Sequence, residues 1–225
     1  MNWLTQIRLR TFDAYKAGFT DSYSIHKALW GCFPSSAREQ KRDFLTRIDP
    51  TEHEFHVWLL SKRQPEIPTW CPEGSFQTKK IPASFLEHAR YYFDLVVNPT
   101  KAIVVRDAEG VKQGRSKRVP LIKDDDLRRW LARKGEVSRI REGSPPADIP
   151  GGFRIIEDEN TPLDIMTIGK SYFTGRQGNA GVHGGARFRG VLQVTDRAQF
   201  KRTYNEGIGS AKGFGFGLLL LAPVR

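Results

Sequence analysis

Gly207-Ile208-Gly209-Ser210-Ala211-Lys212-Gly213-Phe214-Gly215-Phe216-Gly217, running at once into Leu218-Leu219-Leu220-Leu221-Ala222-Pro223, is the stretch on which the reading of this chain turns. Five glycines within eleven residues precede a purely apolar run, which reads as a buried strand. Glycine serves where backbone must approach a ligand closely or adopt positive φ. Successive amide N–H groups in such a loop form an anion-binding nest. The loop is therefore expected to lie against a phosphate, with Lys212 placing a positive charge at its middle. It is not a Walker A loop, because no Gly-Lys-Ser/Thr ends it. Nor is it a dinucleotide fingerprint, since no G-x-G-x-x-G occurs in it and a strand follows the glycines instead of a helix.

Composition points to the donor of that phosphate. The 225 residues carry 36 Lys+Arg against 25 Asp+Glu, a formal net charge of +11. Such an excess suits a polyanion, and nucleic acid is the commonest one. No segment reads as a basic amphipathic helix with a broad apolar face, and no lipidation motif occurs, so no membrane partner is expected. The first residues lack an apolar signal-peptide core and no run approaches a membrane span. The two cysteines, Cys32 and Cys71, make neither a disulfide framework nor a cysteine-rich zinc site. A reducing, cytoplasmic setting is expected.

The order of elements favours two halves. Asn2–Arg10 alternates apolar and polar residues and reads as a strand. Residues 22–33 read as a helix with Asp21 as N-cap and Pro34 closing it. Residues 43–49 and Glu54–Ser61 are strands, residues 65–82 a proline-rich loop, and residues 85–97 a short helix running into a strand. Asn98-Pro99 then turns the chain into residues 101–106. This half approximates β-α-β-β-α-β, a ferredoxin-like unit. The second half repeats the order, with strands at 119–122, 153–157, 163–173, 188–194 and 217–222 and helices at 124–134 and 196–206. A glycine insert at 175–185 interrupts it. The expected fold is α+β, two tandem ferredoxin-like (βαββαβ) domains at 1–106 and 107–225, the second carrying the C-terminal glycine-rich loop.

On the first of these helices Ile25, Ala28, Leu29 and Cys32 form the natural core stripe. Tyr23, His26, Lys27 and Trp30 fall on the other side, spaced i, i+3, i+4, i+7. A phenol, an imidazole and an ammonium together supply what RNA cleavage requires. A ribose 2′-hydroxyl must lose its proton as it attacks phosphorus, and the 5′-oxygen leaving group must gain one. Histidine, with a pKa near about 6.5, does either. Tyrosine orients or donates through its hydroxyl, and lysine neutralises charge that builds on the phosphate.

Five blocks carry a family resemblance: Tyr23-Ser24-Ile25-His26-Lys27-Ala28-Leu29-Trp30, Asn98-Pro99-Thr100-Lys101, Arg118-Val119-Pro120-Leu121-Ile122-Lys123, Phe188-Arg189-Gly190-Val191-Leu192 and the terminal glycine loop. The chain resembles, along essentially its whole length, the CasE-type CRISPR-associated endoribonucleases of type I-E systems, within the RAMP superfamily. The most specific piece is Gly207-Ile208-Gly209, five residues, then Gly215-Phe216-Gly217, which follows the superfamily's G-h-G-x5-G-h-G loop. The Y-x-x-H-x-x-x-W block is the second. The resemblance implies metal-independent cleavage of the CRISPR repeat transcript by the 2′-hydroxyl, leaving a 2′,3′-cyclic phosphate and a 5′-hydroxyl, with His26 and Tyr23 as catalytic residues. Which of the two handles which proton stays open. It also implies recognition of a repeat hairpin and retention of the product within the surveillance complex, Cascade. No metal and no cofactor are expected.

For RNA contact the densest segment is 106–123, with Arg115, Lys117, Arg118 and Lys123, read as a basic hairpin loop tracking a phosphate backbone. Lys27, Gly209 and Lys212 complete the expected RNA-binding set, and Arg176, Arg187 and Arg189 are weaker candidates. His53 and His56 fall at the start of a strand and point to opposite faces, so no metal site is expected there. The alternatives are a binding-only member of the same superfamily, which holds RNA without cutting it, and an RRM-type module unrelated to CRISPR. An RNP1-like motif is lacking, which disfavours the last.

Overall fold

The computed structural model describes residues 2–34, 42–104, 114, 117–136, 150–174 and 180–225. Its first sheet is built from β1 (Asn2–Arg10), β2 (Phe44–Pro50), β3 (Glu54–Ser61) and β4 (Phe76–Ile81), in the spatial order β2-β3-β1-β4. Each neighbouring pair is antiparallel. Between β1 and β2 lie two helices, α1 (Thr11–Lys16) and α2 (Ser22–Leu29), the latter extended by a 3-10 turn at Trp30–Cys32. The second sheet runs β11-β5-β10-β8, from β5 (Arg90–Val97), β8 (Phe153–Ile156), β10 (Ala180–Val194) and β11 (Leu219–Pro223), with β9 (Asp164–Thr174) paired to β10. Helices α3 (Asp124–Gly135) and α4 (Arg197–Glu206) accompany it, and β6 (Thr100–Ile103) pairs with β7 (Lys117–Pro120) as a separate two-stranded arm. Both sheets place the first strand of their half beside the last, which is the ferredoxin-like order, so the tandem α+β fold expected from sequence is the one observed.

The strands divide between the sheets differently from the sequence reading. Arg90–Val97, read as the close of the first half, pairs with β10 and β11 and opens the second sheet. The first sheet is closed instead by β4, in a stretch read as loop. β4 is an edge strand whose middle, Gln77-Thr78-Lys79-Lys80, is exposed, so it shows no apolar alternation. Lysines on an edge strand also discourage pairing with another chain. The helix expected from residue 85 is only a 3-10 turn at Ala83–Leu86. The expected division near residue 106 thus does not coincide with the division between sheets. Of the glycine insert, residues 180–185 continue β10, whereas 175–179 lie outside the described residues.

Strand parity explains how the halves share a core. In β2, Phe44 points to the cluster under α1 and α2 with Ile7, Leu9, Ile25, Leu29 and Val57. Its neighbour Leu45 points to the larger cluster with Leu60, Leu95, Trp130, Phe188 and Leu219. Successive strand residues face opposite sides, so the first sheet has helices on one face and the second half on the other. Among the described residues no helix is long and apolar enough to cross a membrane.

The glycine pattern has a backbone cause. Gly207, Gly209, Gly215 and Gly217 have φ of +75°, +82°, +88° and +89°, values that side-chain-bearing residues rarely adopt. Between them Ile208 and Phe216 are buried. The loop is closed at its base by Ile208 N–H donating to Gly217 O at 2.9 Å and tied to β5 by Gly217 N–H donating to Val96 O at 2.7 Å. A Cβ on Gly217 would lie 2.6 Å from the backbone oxygen of Ile208, whereas on Gly213 it would meet only the end of the Arg42 side chain at 3.2 Å. Gly217→Ala is therefore expected to destabilise by at least about 1–3 kcal/mol, and Gly213→Ala by about 0.5 kcal/mol or less. Thermal unfolding of the two variants side by side checks this. Equal losses would mean that the pattern is not a backbone requirement.

Candidate active site and nucleic-acid interface

Helix α2 is set by its first turn. Asp21 Oδ1 accepts from Ser24 N–H at 2.7 Å, and Ser24 Oγ accepts from Asp21 N–H at 2.9 Å, a reciprocal capping box. Ile25, Leu29 and Cys32 are buried, as the apolar stripe requires. His26 is half-buried one turn after the half-buried Tyr23, and Lys27 is exposed. The imidazole packs against Phe44, ring centroids 5.5 Å apart, and meets Trp30 edge-on at 6.4 Å. Trp30 and Phe44 in turn make an edge contact at 5.0 Å. At the far end of the helix Trp70 Nε1 donates to Ala28 O at 3.2 Å.

This setting fixes the protonation state of His26. Burial, and then the positive charge of Arg42, push its pKa down to about 4, so the imidazole is neutral at physiological pH in the RNA-free protein. Its Nδ1 is buried without a hydrogen-bond partner among the described residues. Arg42 is the residue that sequence reasoning missed. Its guanidinium lies over Gly213 of the glycine loop and within electrostatic reach of both His26 and Lys212. It stands just before β2 in no recognisable motif, so nothing in the pattern marks it.

The turn at Lys212–Phe214 packs against both α2 and β2, which brings the glycine loop and His26, far apart in sequence, to one place. Ala211 at the head of that turn has φ +59°, a left-handed conformation uncommon outside glycine. The amides of Gly209, Ser210, Ala211, Lys212 and Gly213 are engaged by no backbone carbonyl among the described residues. Lys212 is half-buried, and burial lowers its pKa, with Glu206 opposing and Arg42 and Lys134 adding to the shift. Loop, lysine, arginine and histidine together form a surface that can receive a phosphate and exchange protons beside it.

The remaining expected RNA contacts are placed unevenly. Gly209, Lys212 and the exposed Arg118 line one cleft of about 930 Å³. Lys123 is exposed at the N-cap of α3. Lys117 begins β7, and Arg115 and Arg176 lie outside the described residues. Arg187 and Arg189, the weaker candidates, are both held by Asp94 across the β5–β10 pair, with Arg187 Nε at 3.0 Å and Arg189 Nε at 3.3 Å from its carboxylate. Their charge serves the fold before it serves a ligand. His56 makes a contact with Glu54 at 3.0 Å, and among the described residues no cluster of three His, Cys, Asp or Glu side chains is placed to hold a metal ion.

Comparison with known proteins gives the family. A family profile described as "CRISPR associated protein" matches residues 2–223. The CRISPR system Cascade subunit CasE of Escherichia coli K12 is 30% identical over 214 residues, covering 93% of this chain and 96% of the relative. The CRISPR-associated endoribonuclease Cse3 of Thermus thermophilus is 26% identical, covering 98% of this chain and 100% of the relative. A structure of Thermus thermophilus Cse3 bound to an RNA representing a pre-cleavage complex superposes with a TM-score of 0.70, at 25% identity and 99% coverage of both chains. With the profile spanning nearly every residue, and with helix α2 and the glycine loop brought together in the fold, the chain belongs to the CRISPR-associated protein family that includes these two relatives.

Proposed function

We propose that this protein is an endoribonuclease that binds the hairpin of a CRISPR repeat transcript, cuts it without a metal ion, and stays bound to its product as a subunit of Cascade. The observation that carries the proposal is the position of His26: an imidazole packed on Phe44 and Trp30, within electrostatic reach of Arg42, on a capped helix α2 that packs against the turn of the glycine loop. In the reaction the ribose 2′-oxygen attacks the adjacent phosphorus in line. The O2′–P bond forms, the P–O5′ bond breaks, and the products are a 2′,3′-cyclic phosphate and a 5′-hydroxyl. One proton leaves the 2′-hydroxyl and one reaches O5′. Because His26 rests neutral, it is suited to accept the first, and Tyr23, one helical turn earlier on α2, is assigned to orient or donate through its hydroxyl. Arg42 and Lys212 offset the charge that grows on the phosphoryl oxygens. Lys27, Arg115, Lys117, Arg118 and Lys123 are assigned to the backbone of the hairpin, where shape and phosphate contacts dominate.

The test is cleavage of end-labelled cognate repeat RNA in excess EDTA, alongside the same RNA with 2′-deoxyribose at the scissile nucleotide. The expected result is one cut in the ribose substrate, with a cyclic phosphate on the upstream fragment, and an intact deoxy substrate. Tight binding of an uncut ribose substrate would replace this reading with that of a binding-only subunit. Cleavage of the deoxy substrate would overturn the 2′-hydroxyl mechanism.

A further inference from the structure

We propose that Phe44 is a positioning residue for His26: it closes a stack of planar side chains that holds the imidazole in one orientation, with Nε2 left to exchange a proton with RNA. The use made of that proton rests on the cleavage reading, while the stack itself rests on packing. Four segments build it. Arg63, just after β3, lies over the ring of Phe33, its guanidinium carbon 4.5 Å from the centroid. Phe33, which follows the 3-10 turn, stacks on Phe44 at 5.2 Å with the two planes 24° apart. Phe44, the first residue of β2, packs in turn on His26 at 5.5 Å and 34°. Trp30 meets Phe44 and His26 edge-on, at 74° and 80°, and so braces the last two members from the side.

The far end of the stack is pinned. Arg63 Nε and Nη2 donate to Asp43 Oδ2 and Oδ1 at 2.7 and 2.8 Å, a two-pronged pairing that fixes the plane of the guanidinium. Asp43 stands directly before Phe44 in the chain. The ion pair therefore ties the neighbour of Phe44 to the cation that covers Phe33. Stacked cations and aromatic pairs each favour particular relative planes. Orientation thus passes from a charge pair beside the end of the β2–β3 ladder, where Phe44 is in register with Ser61, through two phenyl rings to the imidazole.

A core position demands less than this. Phe44 is 2% exposed and belongs to the cluster under α1 and α2, and a leucine would satisfy that cluster. What a leucine lacks is a flat face. Half a turn of the imidazole about its Cβ–Cγ bond puts carbon where each nitrogen stood, so a proton-transferring histidine needs its ring held as well as buried. His26 Nδ1 is buried without a hydrogen-bond partner among the described residues, which leaves Nε2 for the ligand. Misplacement of a reacting group by about 1 Å costs up to about 10²-fold in rate.

The test compares the full-length wild type with Phe44→Leu, Phe44→Tyr and Ile7→Val. Ile7 lies in the same cluster on β1, separated from β2 by β3, so its variant reports loss of packing alone. Single-turnover cleavage of cognate repeat RNA, affinity for its 2′-deoxy form and the NMR signals of the His26 ring in RNA-free protein are measured for each. Phe44→Leu is expected to cut about 10–100-fold more slowly, with affinity within about threefold of wild type. Its His26 ring signals double or broaden as the imidazole samples two orientations. Phe44→Tyr, which keeps the flat ring, restores the rate and the single set of signals, and Ile7→Val leaves both as in wild type. A Phe44→Leu variant that slows no more than Ile7→Val, or a loss that Phe44→Tyr folds but does not recover, would overturn the proposal. Should Phe44→Tyr fail to fold, the ring signals of Phe44→Leu decide. If the wild type does not cut, a single sharp set in Phe44→Leu still overturns the positioning role, while a doubled set leaves it standing and sinks the cleavage reading alone.

Discussion

His26→Ala is expected to lower the single-turnover rate of RNA cleavage by about 10²–10⁴-fold, the range for removal of an acid–base catalyst, while RNA binding changes little. The separation follows from geometry. In the proposed reading the phosphate contacts fall to the glycine loop, Lys212 and the basic arm, whereas His26 contributes a neutral ring packed on Phe44 and Trp30. The pH behaviour is distinctive. In the RNA-free protein the imidazole titrates near 4, since burial and Arg42 both disfavour its charged form; in an unfolded chain it titrates near about 6.5. Between those values the unfolded state binds more protons, so the contribution of His26 to stability is complete above about 6.5 and is lost as pH falls towards 4. RNA reverses the local field: a phosphate beside the ring favours imidazolium and raises the midpoint. An NMR titration should therefore find His26 near 4 in the free protein and higher with 2′-deoxy RNA bound. A variant that retains cleavage within about tenfold of wild type would remove His26 from the mechanism, whatever the titration gave.

The parts of this molecule legible in its sequence are those dictated locally. Asp21 as N-cap, the Ile25–Leu29–Cys32 stripe and the opposed Tyr23–His26 face follow from helical periodicity, and the glycines of the terminal loop follow from their backbone angles. What sequence misses depends on distant neighbours. β4 shows no apolar alternation because an edge strand of polar residues gains its place from pairing with β1 alone. Arg90–Val97 reads equally well as the last strand of one sheet or the first of another, and only its pairing with β10 and β11 decides. At the site, Arg42 carries no motif, yet the loop that folds back over it gives it a role. Arg187 and Arg189 read as weaker candidates for RNA contact, and their pairing is not legible because their counter-ion, Asp94, lies more than ninety residues earlier.

That counter-ion is the place where one substitution should most damage the fold. Parity along β2 turns Arg47 towards the second sheet, on the same face as Leu45, and its side chain is fully buried. Its guanidinium reaches Asp49 Oδ1 at 3.0 Å, Asp94 Oδ1 at 2.9 Å and the Asp94 backbone oxygen at 3.1 Å, while Nη2 has no partner among the described residues. Asp94 thus joins β2 of the first sheet to β5 and β10 of the second. Burial raises its pKa, but hydrogen bonds from Arg187 and Arg47 outweigh this and hold it at about 2. Breaking a buried pair from one side leaves the other charge uncompensated, at a cost of about 3–5 kcal/mol. Asp94→Ala is expected to show that loss in urea unfolding at neutral pH. The sign with pH is fixed by the depressed pKa: the stabilisation is complete above the unfolded value near 3.8 and is lost as pH falls through about 2. Its size from the shift alone is about 2 kcal/mol, less than the substitution removes, because protonation leaves the carboxyl in place to accept from Arg47. The variant should accordingly be less stable than wild type at every pH and lack this part of the acid slope. A loss below about 1 kcal/mol, or an acid limb identical to that of wild type, would mean that Arg47 finds its compensation elsewhere and that Asp94 does not hold the sheets together.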